Sequence, residues 1–418
     1  MKKINFNDFK LMKLDSITKF CLNNNLPIAG GKNQMLFEIM KFYGKDKSFH
    51  FEGCLEILNN SYGFLRDINN NFMPAPYDVY VNPKTIKELD LRCGDMITCT
   101  VHLPKTEDQK LCTLSEVLLV NGEENLRNRP LFEDFTPTYP KEQLVLANDG
   151  LDKEYNVTCR VIDLVSPIGF GQRTLVVAPP KCGKTTVLHS LALSILMGYK
   201  DVKLIIVLVG ERPEEVTEMK KTAPGAEIVF STFDEPSENQ IKMTELIIDR
   251  AKRLVELGNK VVILLDSITR LVRSYNYAVP SSGKILTGGV DPAALIRPKK
   301  FFGSARNTEE GGSLTIVATS LLETGSKMDD FIFEELKGTG NAEIRLSRNI
   351  SKKRVFPAID ISQSGARRTD MFIPVPMLTK LKIMETFLSN MEDQTEAIKL
   401  ILEKIRTSRS NKELLLHM

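Results

Sequence analysis

The pattern of hydrophobic and polar positions changes twice along the chain and defines three regions. In residues 1–47, apolar positions recur every three or four residues, which is typical of amphipathic helices. In residues 48–130, apolar and polar positions alternate over short runs that Asn, Pro and Gly interrupt, which is typical of a small β-barrel. Residues 131–155 contain prolines and charges without a clear period and predict a linker. From residue 156 to 418, apolar β-branched runs alternate with helical patterns.

The third region predicts an α/β domain with a parallel sheet. Its strongest apolar runs are almost continuous, as burial on both faces of a sheet requires. We expect four of them to be central strands, at residues 175–177, 204–209, 261–265 and 314–318.

Composition narrows the class of protein only slightly. The 418 residues are 42% hydrophobic and 26% charged, which is ordinary for a globular chain of two to four domains. The net charge of +3 does not indicate a nucleic-acid binder, so any such site must come from local arrangement. No apolar run is long enough to span a membrane, and no secretory signal is evident. The seven scattered cysteines favour a reduced, cytoplasmic protein without a zinc site or disulfide framework.

A phosphate-binding loop is predicted between a strand and a helix, over the residues Ala-Pro-Pro-Lys-Cys-Gly-Lys-Thr that end at Thr185. The segment has the Gly-Lys-Thr end of the pattern GxxxxGK[ST], with Ala178 at the position of the first glycine. Backbone N–H groups at the start of the following helix would cradle phosphate oxygens. Lys184 would neutralise the β- and γ-phosphates, and the Thr185 hydroxyl would ligate Mg²⁺. The alternative is a chance Gly-Lys-Thr in a turn.

Two acidic residues follow buried strands and are candidates for the same site. Asp266 ends the run 261–265, where the Mg²⁺ shell needs a carboxylate; the alternative is a helix cap. Glu211 follows another apolar strand and could polarise the attacking water; the alternative is a surface turn. Hydrolysis also needs a cation beside the negative charge that develops on the γ-phosphate. Arg354 and Arg367 are candidates that the sequence alone does not separate from ordinary surface arginines.

These motifs together resemble the Rho family of bacterial transcription termination factors. The matching segments are 177–185, 211–219, 265–271, 282–291, 324–329 and 353–360. The resemblance runs from about residue 10 to the C-terminus, and an alanine such as Ala178 is the form that this family uses. It implies a homohexameric ring ATPase with a RecA-like core, which binds ATP and Mg²⁺ and moves 5′ to 3′ on single-stranded RNA. It also implies unwinding of RNA–DNA hybrids, with RNA polymerase and elongation factors as partners.

The resemblance assigns roles at the nucleotide site. The implied ATP-binding residues are Pro180, Lys181, Cys182, Gly183, Lys184, Thr185, Thr186, Arg212 and Phe356. Phe356 would stack on the adenine, and Arg212 would lie near the γ-phosphate. Glu211 is implied as the catalytic carboxylate and Asp266 as the acid of the Mg²⁺ shell. Arg367 resembles an arginine finger offered to the neighbouring subunit, with Arg354 as a second candidate.

The barrel region carries a candidate RNA site in the segment Tyr62-Gly63-Phe64-Leu65-Arg66. An aromatic pair flanking a glycine on a strand, followed by arginine, can stack bases and meet phosphate, although such aromatics also fill cores. The resemblance implies an oligonucleotide-binding (OB) fold that captures pyrimidine-rich RNA, and Tyr62, Phe64, Arg66 and Tyr80 match its binding positions.

One contact pair departs from the family pattern. A glutamate and an aromatic residue of the family appear here as Asp108 and Lys110. Because lysine cannot stack like an aromatic ring, we expect an RNA site that relies more on charge and less on cytosine selectivity.

A second RNA site is implied inside the ring. Lys284 and Lys327 stand in glycine-containing loops, which suit a translocating pore but are also typical of solvated turns. Two other interpretations are a RecA-like recombinase or rotary ATP synthase subunit, and an RNA-binding scaffold with an inactive nucleotide site. The barrel argues against the first, and the intact Lys184, Thr185, Glu211 and Asp266 argue against the second.

Overall fold

The computed structural model describes residues 4–43, 49–59, 61–104, 111–124 and 129–417, which form two compact units. The N-terminal unit comprises residues 1–132 and 242–256, and the C-terminal unit comprises residues 133–241 and 257–418. Within the described ranges, no helix combines the length and apolar character needed to cross a membrane.

The N-terminal unit is a five-stranded barrel with helices packed against it. Its strands are β1 (Ile4–Asn5), β2 (Phe49–Leu58), β3 (Tyr62–Arg66), β4 (Val79–Val81), β5 (Met96–His102) and β6 (Cys112–Val120). Its helices are α1 (Phe6–Leu11), α2 (Leu14–Asn23), α3 (Gly31–Tyr43) and α4 (Pro83–Glu88), with residues 242–256 of a longer helix. The strand order is β2-β3-β4-β6-β5, and β5 pairs with β2 to close the barrel, while β1 joins β2 at the side. The predicted OB-like barrel is confirmed.

Alternation along the strands explains how the barrel and the helices share one core. In β5, Ile97 and Cys99 are fully buried, while Thr98 between them is partly exposed. Phe6 of α1, Ile17 of α2 and Ile39 of α3 are also fully buried and belong to the same core. The predicted N-terminal helices are thus present, and they cover one side of the barrel core.

The C-terminal unit has a nine-stranded sheet surrounded by helices. Its strands are β7 (Pro137–Thr138), β8 (Arg173–Ala178), β9 (Val202–Glu211), β10 (Glu227–Thr232), β11 (Lys260–Asp266), β12 (Arg306–Thr308), β13 (Ser313–Leu321), β14 (Ala342–Arg345) and β15 (Gly365–Ala366). Its helices are α5 (Lys153–Val165), α6 (Lys184–Gly198), α7 (Pro213–Thr222), α8 (Ser237–Glu256, whose residues 242–256 belong to the N-terminal unit), α9 (Ile268–Ala278), α10 (Pro292–Gly303), α11 (Lys327–Lys337), α12 (Arg348–Lys352), α13 (Val375–Ser389), α14 (Gln394–Thr407) and α15 (Asn411–Leu416). Single 3₁₀ turns occur at 68–70, 132–134, 287–289 and 369–371.

The order of the parallel strands places the candidate residues together. Strands β10-β9-β11-β13-β8-β14 are parallel, and β15, β12 and β7 add antiparallel pairings. The four predicted central strands are β8, β9, β11 and β13, so the predicted α/β fold is confirmed. Because parallel strands end at one edge, Ala178, Glu211 and Asp266 reach the same edge of the sheet.

Residues 131–155, for which the sequence predicts a linker, pack with the C-terminal unit from residue 133 onward. Leu144 and Leu146 are fully buried in its core, and β7 pairs with β12. Asp163 of α5 accepts hydrogen bonds from the backbone N–H groups of Leu146, at 3.0 Å, and Ala147, at 2.8 Å. This segment has little regular secondary structure, so its buried side chains do not recur at a fixed spacing in the sequence. The sequence pattern therefore does not reveal this packing.

Candidate nucleotide and RNA sites

The phosphate loop turns sharply from β8 into α6. Lys181 has a φ of 65° and Gly183 a φ of 88°, and α6 begins at the next residue, Lys184. Glycine adopts this left-handed conformation at little cost, which explains its place before the helix. The first backbone N–H groups of a helix have no intrahelical acceptor and form its positive end, where an anion is stabilised. The loop therefore has the backbone geometry that a phosphate cradle requires.

Lys184 and the two predicted acids form one cluster beside the loop. The Lys184 Nζ lies 2.5 and 2.7 Å from the two carboxylate oxygens of Asp266, and 3.9 Å from Oε2 of Glu211. Asp266 and Glu211 are both buried. The Thr319 hydroxyl donates a 2.7 Å hydrogen bond to Oδ1 of Asp266. The structure thus brings together a lysine and two carboxylates, of which Lys184 and Asp266 are 82 positions apart in the sequence.

Glu211 is also held by Arg270, which the sequence analysis did not identify. The Arg270 Nη1 donates to Oε2 of Glu211 and to the carbonyl oxygen of Gly210, both at 2.5 Å. Burial raises the pKa of Glu211 and the charge of Asp266 raises it further, while Lys184 and Arg270 act in the opposite direction. A carboxylate whose pKa is raised towards neutrality is suited to accept a proton or orient water. The only sequence signal for Arg270 is its place one helical turn after Asp266.

The residues present fit a magnesium ion that arrives with a nucleotide. Thr185 and Asp266 offer hard oxygen ligands, which Mg²⁺ prefers. In the part of the chain that the structure describes, no group of three or more His, Cys, Asp and Glu side chains could hold a metal alone. Mg²⁺ is commonly held by one or two protein oxygens, with substrate phosphates and water completing its shell. A site that is incomplete without phosphate is therefore the expected kind.

A cavity of about 1260 Å³ lies beside the phosphate loop. Of the predicted residues, it is lined by Lys181, Cys182, Gly183, Thr186, Arg354 and Phe356. Phe356 is half-exposed, and a Cβ placed on Gly183 would lie 3.5 Å from its ring. Arg354 thus lines the cavity beside the phosphate loop of its own chain. Much of the remaining lining comes from residues 153–158 and 399–407, which no sequence motif indicates because they lie far from the phosphate loop in the chain.

Arg212 and Arg367 are exposed and are placed differently. Arg212 directly precedes α7 and follows Glu211, so it stands at the edge of the acidic cluster. Arg367 follows β15 and lines a separate cavity of about 320 Å³ with Lys337 and Asn341. The structure does not bring Arg367 to the Lys184 cluster of its own chain.

Three aromatic rings form a partly exposed surface on the barrel. Tyr62 and Phe64 lie on β3, and Tyr80 lies opposite Phe64 on β4. The ring centroids are 5.9 Å apart for Tyr62 and Tyr80, 5.8 Å for Phe64 and Tyr80, and 6.1 Å for Tyr62 and Phe64. Gly63 and Leu65, which alternate with them, are buried. These rings, called the aromatic trio below, can stack nucleotide bases.

Arg66 is buried beside the aromatic trio rather than exposed. Its Nε donates to Oε2 of Glu56 at 2.6 Å, and its Nη1 donates to Oδ2 of Asp78 at 2.5 Å. Its guanidinium carbon lies 4.7 Å from the centre of the Phe64 ring. Burial raises the pKa of Asp78 to about 6, although Arg66 and the Ala75 backbone N–H lower it. No motif in the sequence indicates that Asp78 and Glu56 are buried and pair with Arg66. Asp108 and Lys110 lie outside the described residues.

The two predicted pore loops pack against each other at their bases. Lys284 and Lys327 are exposed. Gly288 has a φ of 77°, and a Cβ there would approach the backbone of Met328 to within 2.7 Å, so the loop after α9 lies directly against the start of α11. Arg273 of α9 donates two hydrogen bonds to Asp329 of α11, at 2.9 and 2.7 Å.

The fold and the sites define a P-loop ATPase joined to an OB-like barrel. A family model for the RNA-binding domain of the Rho termination factor matches residues 51–125. The model for the nucleotide-binding domain of the ATP synthase alpha/beta family matches residues 158–366. The class is therefore an ATPase with an RNA-binding domain.

Full-length relatives give the family. The transcription termination factor Rho of Chromobacterium violaceum is 46% identical over 413 residues, covering 98% of both chains. The proteins of the same name from Neisseria gonorrhoeae and Pseudomonas fluorescens biotype C are 49% and 48% identical, covering 91% and 93% of this chain and 90% and 92% of their own. The chain belongs to the transcription termination factor Rho family.

A solved structure is similar to this chain in fold. A prototypical ATPase from the type III secretion system of pathogenic bacteria matches with a TM-score of 0.56 and 23% identity, covering 67% of this chain and 85% of that one. At this identity the likeness concerns the fold alone.

Proposed function

We propose that this chain is an ATP-dependent RNA translocase and helicase that binds nascent single-stranded RNA, moves 5′ to 3′ and terminates transcription. The observation that carries the proposal is the Lys184–Asp266–Glu211 cluster beside a phosphate loop, in a chain that also carries the aromatic trio. The relatives named transcription termination factor Rho support the cellular role and RNA polymerase as a partner.

In the proposed reaction, nucleotide binding rearranges the cluster. ATP phosphates enter the loop, and Lys184 exchanges its contacts with Asp266 for phosphate oxygens. Asp266 and Thr185 are then available to Mg²⁺, which neutralises phosphate charge when bound. Glu211, held by Arg270, orients the attacking water and takes up its proton.

The remaining nucleotide contacts divide between two subunits of a homohexameric ring. Phe356 stacks on the adenine, and Arg354 contacts the nucleotide within the same chain because both line its cavity. Arg212, beside Glu211, meets the γ-phosphate. Arg367 is exposed and remote from the Lys184 cluster of its own chain, so it completes the site of the neighbouring subunit. Head-to-tail contacts of this kind close into rings.

RNA is held at two places in this proposal. Bases stack on the aromatic trio, and phosphates meet Lys284 and Lys327 in the pore loops of all six subunits. Repetition around a ring turns one lysine per loop into a continuous basic path, so a chain with a net charge of only +3 can hold RNA.

The test is ATP hydrolysis by the full-length chain with and without poly(C) RNA. The variant Glu211→Gln is expected to lose RNA-stimulated hydrolysis by about 10²–10⁴-fold, the usual contribution of a positioned base, while still binding nucleotide. Glu214→Gln, an exposed neighbour on α7, is the matched control and should retain activity. An ATP hydrolysis rate that is the same with and without RNA would contradict the proposed translocase activity. A wild-type chain that binds RNA but hydrolyses no ATP would instead support an RNA-binding scaffold.

A further inference from the structure

Helix α8 is one continuous helix that contributes to both units. Residues 237–241 belong to the C-terminal unit, and residues 242–256 belong to the N-terminal unit. Two side chains near its start, Gln240 and Lys242, are only about 3 Å apart along the helix axis. Each of them contacts residues next to one of the two candidate sites.

Lys242 contacts the residues that hold the RNA surface of the barrel. Its Nζ lies 3.0 Å from Oε1 of Glu56, whose other oxygen accepts the hydrogen bond from Arg66. Arg66 in turn lies against the Phe64 ring. Glu56 and Arg66 are both less than a tenth exposed, so an unpaired charge there is costly. The Glu56 carboxylate is therefore positioned on one side by Lys242 and on the other by Arg66, which contacts the aromatic trio.

Gln240 contacts the residues that hold the catalytic carboxylate. Its Oε1 accepts a 2.5 Å hydrogen bond from the Ser274 hydroxyl, one turn after Arg270 on α9. A Cβ placed on Gly210 would lie 3.6 Å from the same oxygen. Arg270 bonds both Gly210 and Glu211. Gln240 thus touches the helix that carries Arg270 and the end of the strand that carries Glu211.

We propose that Lys242 is a positioning residue through which RNA bound at the aromatic trio accelerates ATP hydrolysis. Bases stacking on Phe64 change the placement of Arg66 and Glu56, and Lys242 follows Glu56. Because Lys242 and Gln240 share one helical turn, the shift reaches Ser274 and Arg270, which set the position of Glu211. This inference rests on the proposed function, since it needs an RNA site and an ATPase site in the same chain.

The test compares Lys242→Met with Lys242→Arg in the full-length chain. Four quantities are measured: affinity for a labelled oligocytidine by fluorescence anisotropy, the ATPase rate without RNA, the KM for ATP, and the ATPase rate at saturating RNA. Lys242→Met should lower the rate at saturating RNA about 2- to 30-fold, the range found for residues that carry coupling. The RNA-free rate and the KM for ATP should not change, and Lys242→Arg should restore stimulation. Lys84→Met is the matched control, because Lys84 is 81% exposed and lies in the same unit.

Gln240→Ala tests the other end of the path. If Lys242→Met lowers the unfolding midpoint, the ATPase rate of Gln240→Ala at saturating RNA provides the same measurement. The double variant should be no worse than the stronger single one, because residues on one path are not additive. A wild-type rate at saturating RNA for Lys242→Met would overturn the proposal, even with weakened RNA affinity, because Lys242 would then only support the barrel. Fully multiplicative effects in the double variant would overturn it as well. A wild-type chain without RNA stimulation would reject the proposed function itself, which separates the two failures.

Discussion

At the scale of single residues, Arg66 shows how burial changes the meaning of a motif. The sequence places an arginine after an aromatic pair, where it can meet RNA phosphate. In the structure Arg66 is 5% exposed, and its guanidinium is paired with Glu56 and Asp78. Its first effect is therefore to neutralise two buried carboxylates beside the aromatic trio.

Arg66→Ala is expected to destabilise the N-terminal unit by about 3–5 kcal/mol, because the buried Asp78 loses its arginine partner and the buried Glu56 keeps only Lys242. Urea unfolding of the full-length chain, followed by circular dichroism, measures this loss. If Arg66→Ala has the unfolding free energy of the wild type but binds RNA more weakly, Arg66 acts mainly on RNA.

Tyr80→Ala is expected to weaken RNA binding at little cost to folding, because its ring is partly exposed and belongs to the aromatic trio. Loss of one stacked base costs about 1–3 kcal/mol, which is about 5- to 150-fold in affinity. Anisotropy of a labelled RNA measures the change, and Tyr139→Ala, an exposed tyrosine of the other unit, is the control. Equal affinities for the two variants would show that the trio does not stack bases.

At the scale of elements, Asp163 joins the segment before α5 to that helix. Burial raises the pKa of Asp163 to about 7, although two backbone N–H groups lower it. The folded chain therefore keeps a proton that the unfolded chain releases near pH 4. Stability from the neutral carboxyl is fully present below about pH 4 and is lost as the pH rises through about 7.

Asp163→Asn should therefore gain stability relative to wild type as the pH rises, because an amide oxygen accepts the same hydrogen bonds without a charge. The gain between pH 4 and pH 8 is on the order of 4 kcal/mol, at about 1.4 kcal/mol per pKa unit. Urea unfolding at both pH values measures it, with Asp152→Asn at an exposed position as the control. If the difference in unfolding free energy between Asp163→Asn and wild type is the same at both pH values, the raised pKa of Asp163 is contradicted.

At the scale of the whole molecule, the placement of Arg367 predicts a site shared between subunits. Arg367→Ala and Glu211→Gln should each be inactive alone, but a mixture should regain part of the wild-type rate. Some interfaces in mixed rings combine Glu211 of one variant with Arg367 of the other. ATP hydrolysis after mixing measures the rescue. A mixture of Lys184→Ala and Glu211→Gln is the control, since both changes lie in one chain's share of the site, and rescue there too would argue against an arginine supplied by the neighbour.

The sequence predicted most of the fold because the relevant patterns are local. Continuous apolar runs identified β8, β9, β11 and β13, and alternation identified the barrel strands. The phosphate loop was also recognisable, because its glycine, lysine and threonine act within one turn. The packing of Leu144 and Leu146 was not recognisable, because irregular segments have no period.

By itself, the sequence determined the family, the fold and the candidate residues of the phosphate loop, since these depend on neighbours in the chain. Only the tertiary structure decided the partners of those residues. It joined Lys184 to Asp266, held Glu211 with Arg270, and buried Arg66 between two acids. Ion pairs form between strands and helices that are distant in sequence, and their strength depends on burial, which exists only once the chain has folded.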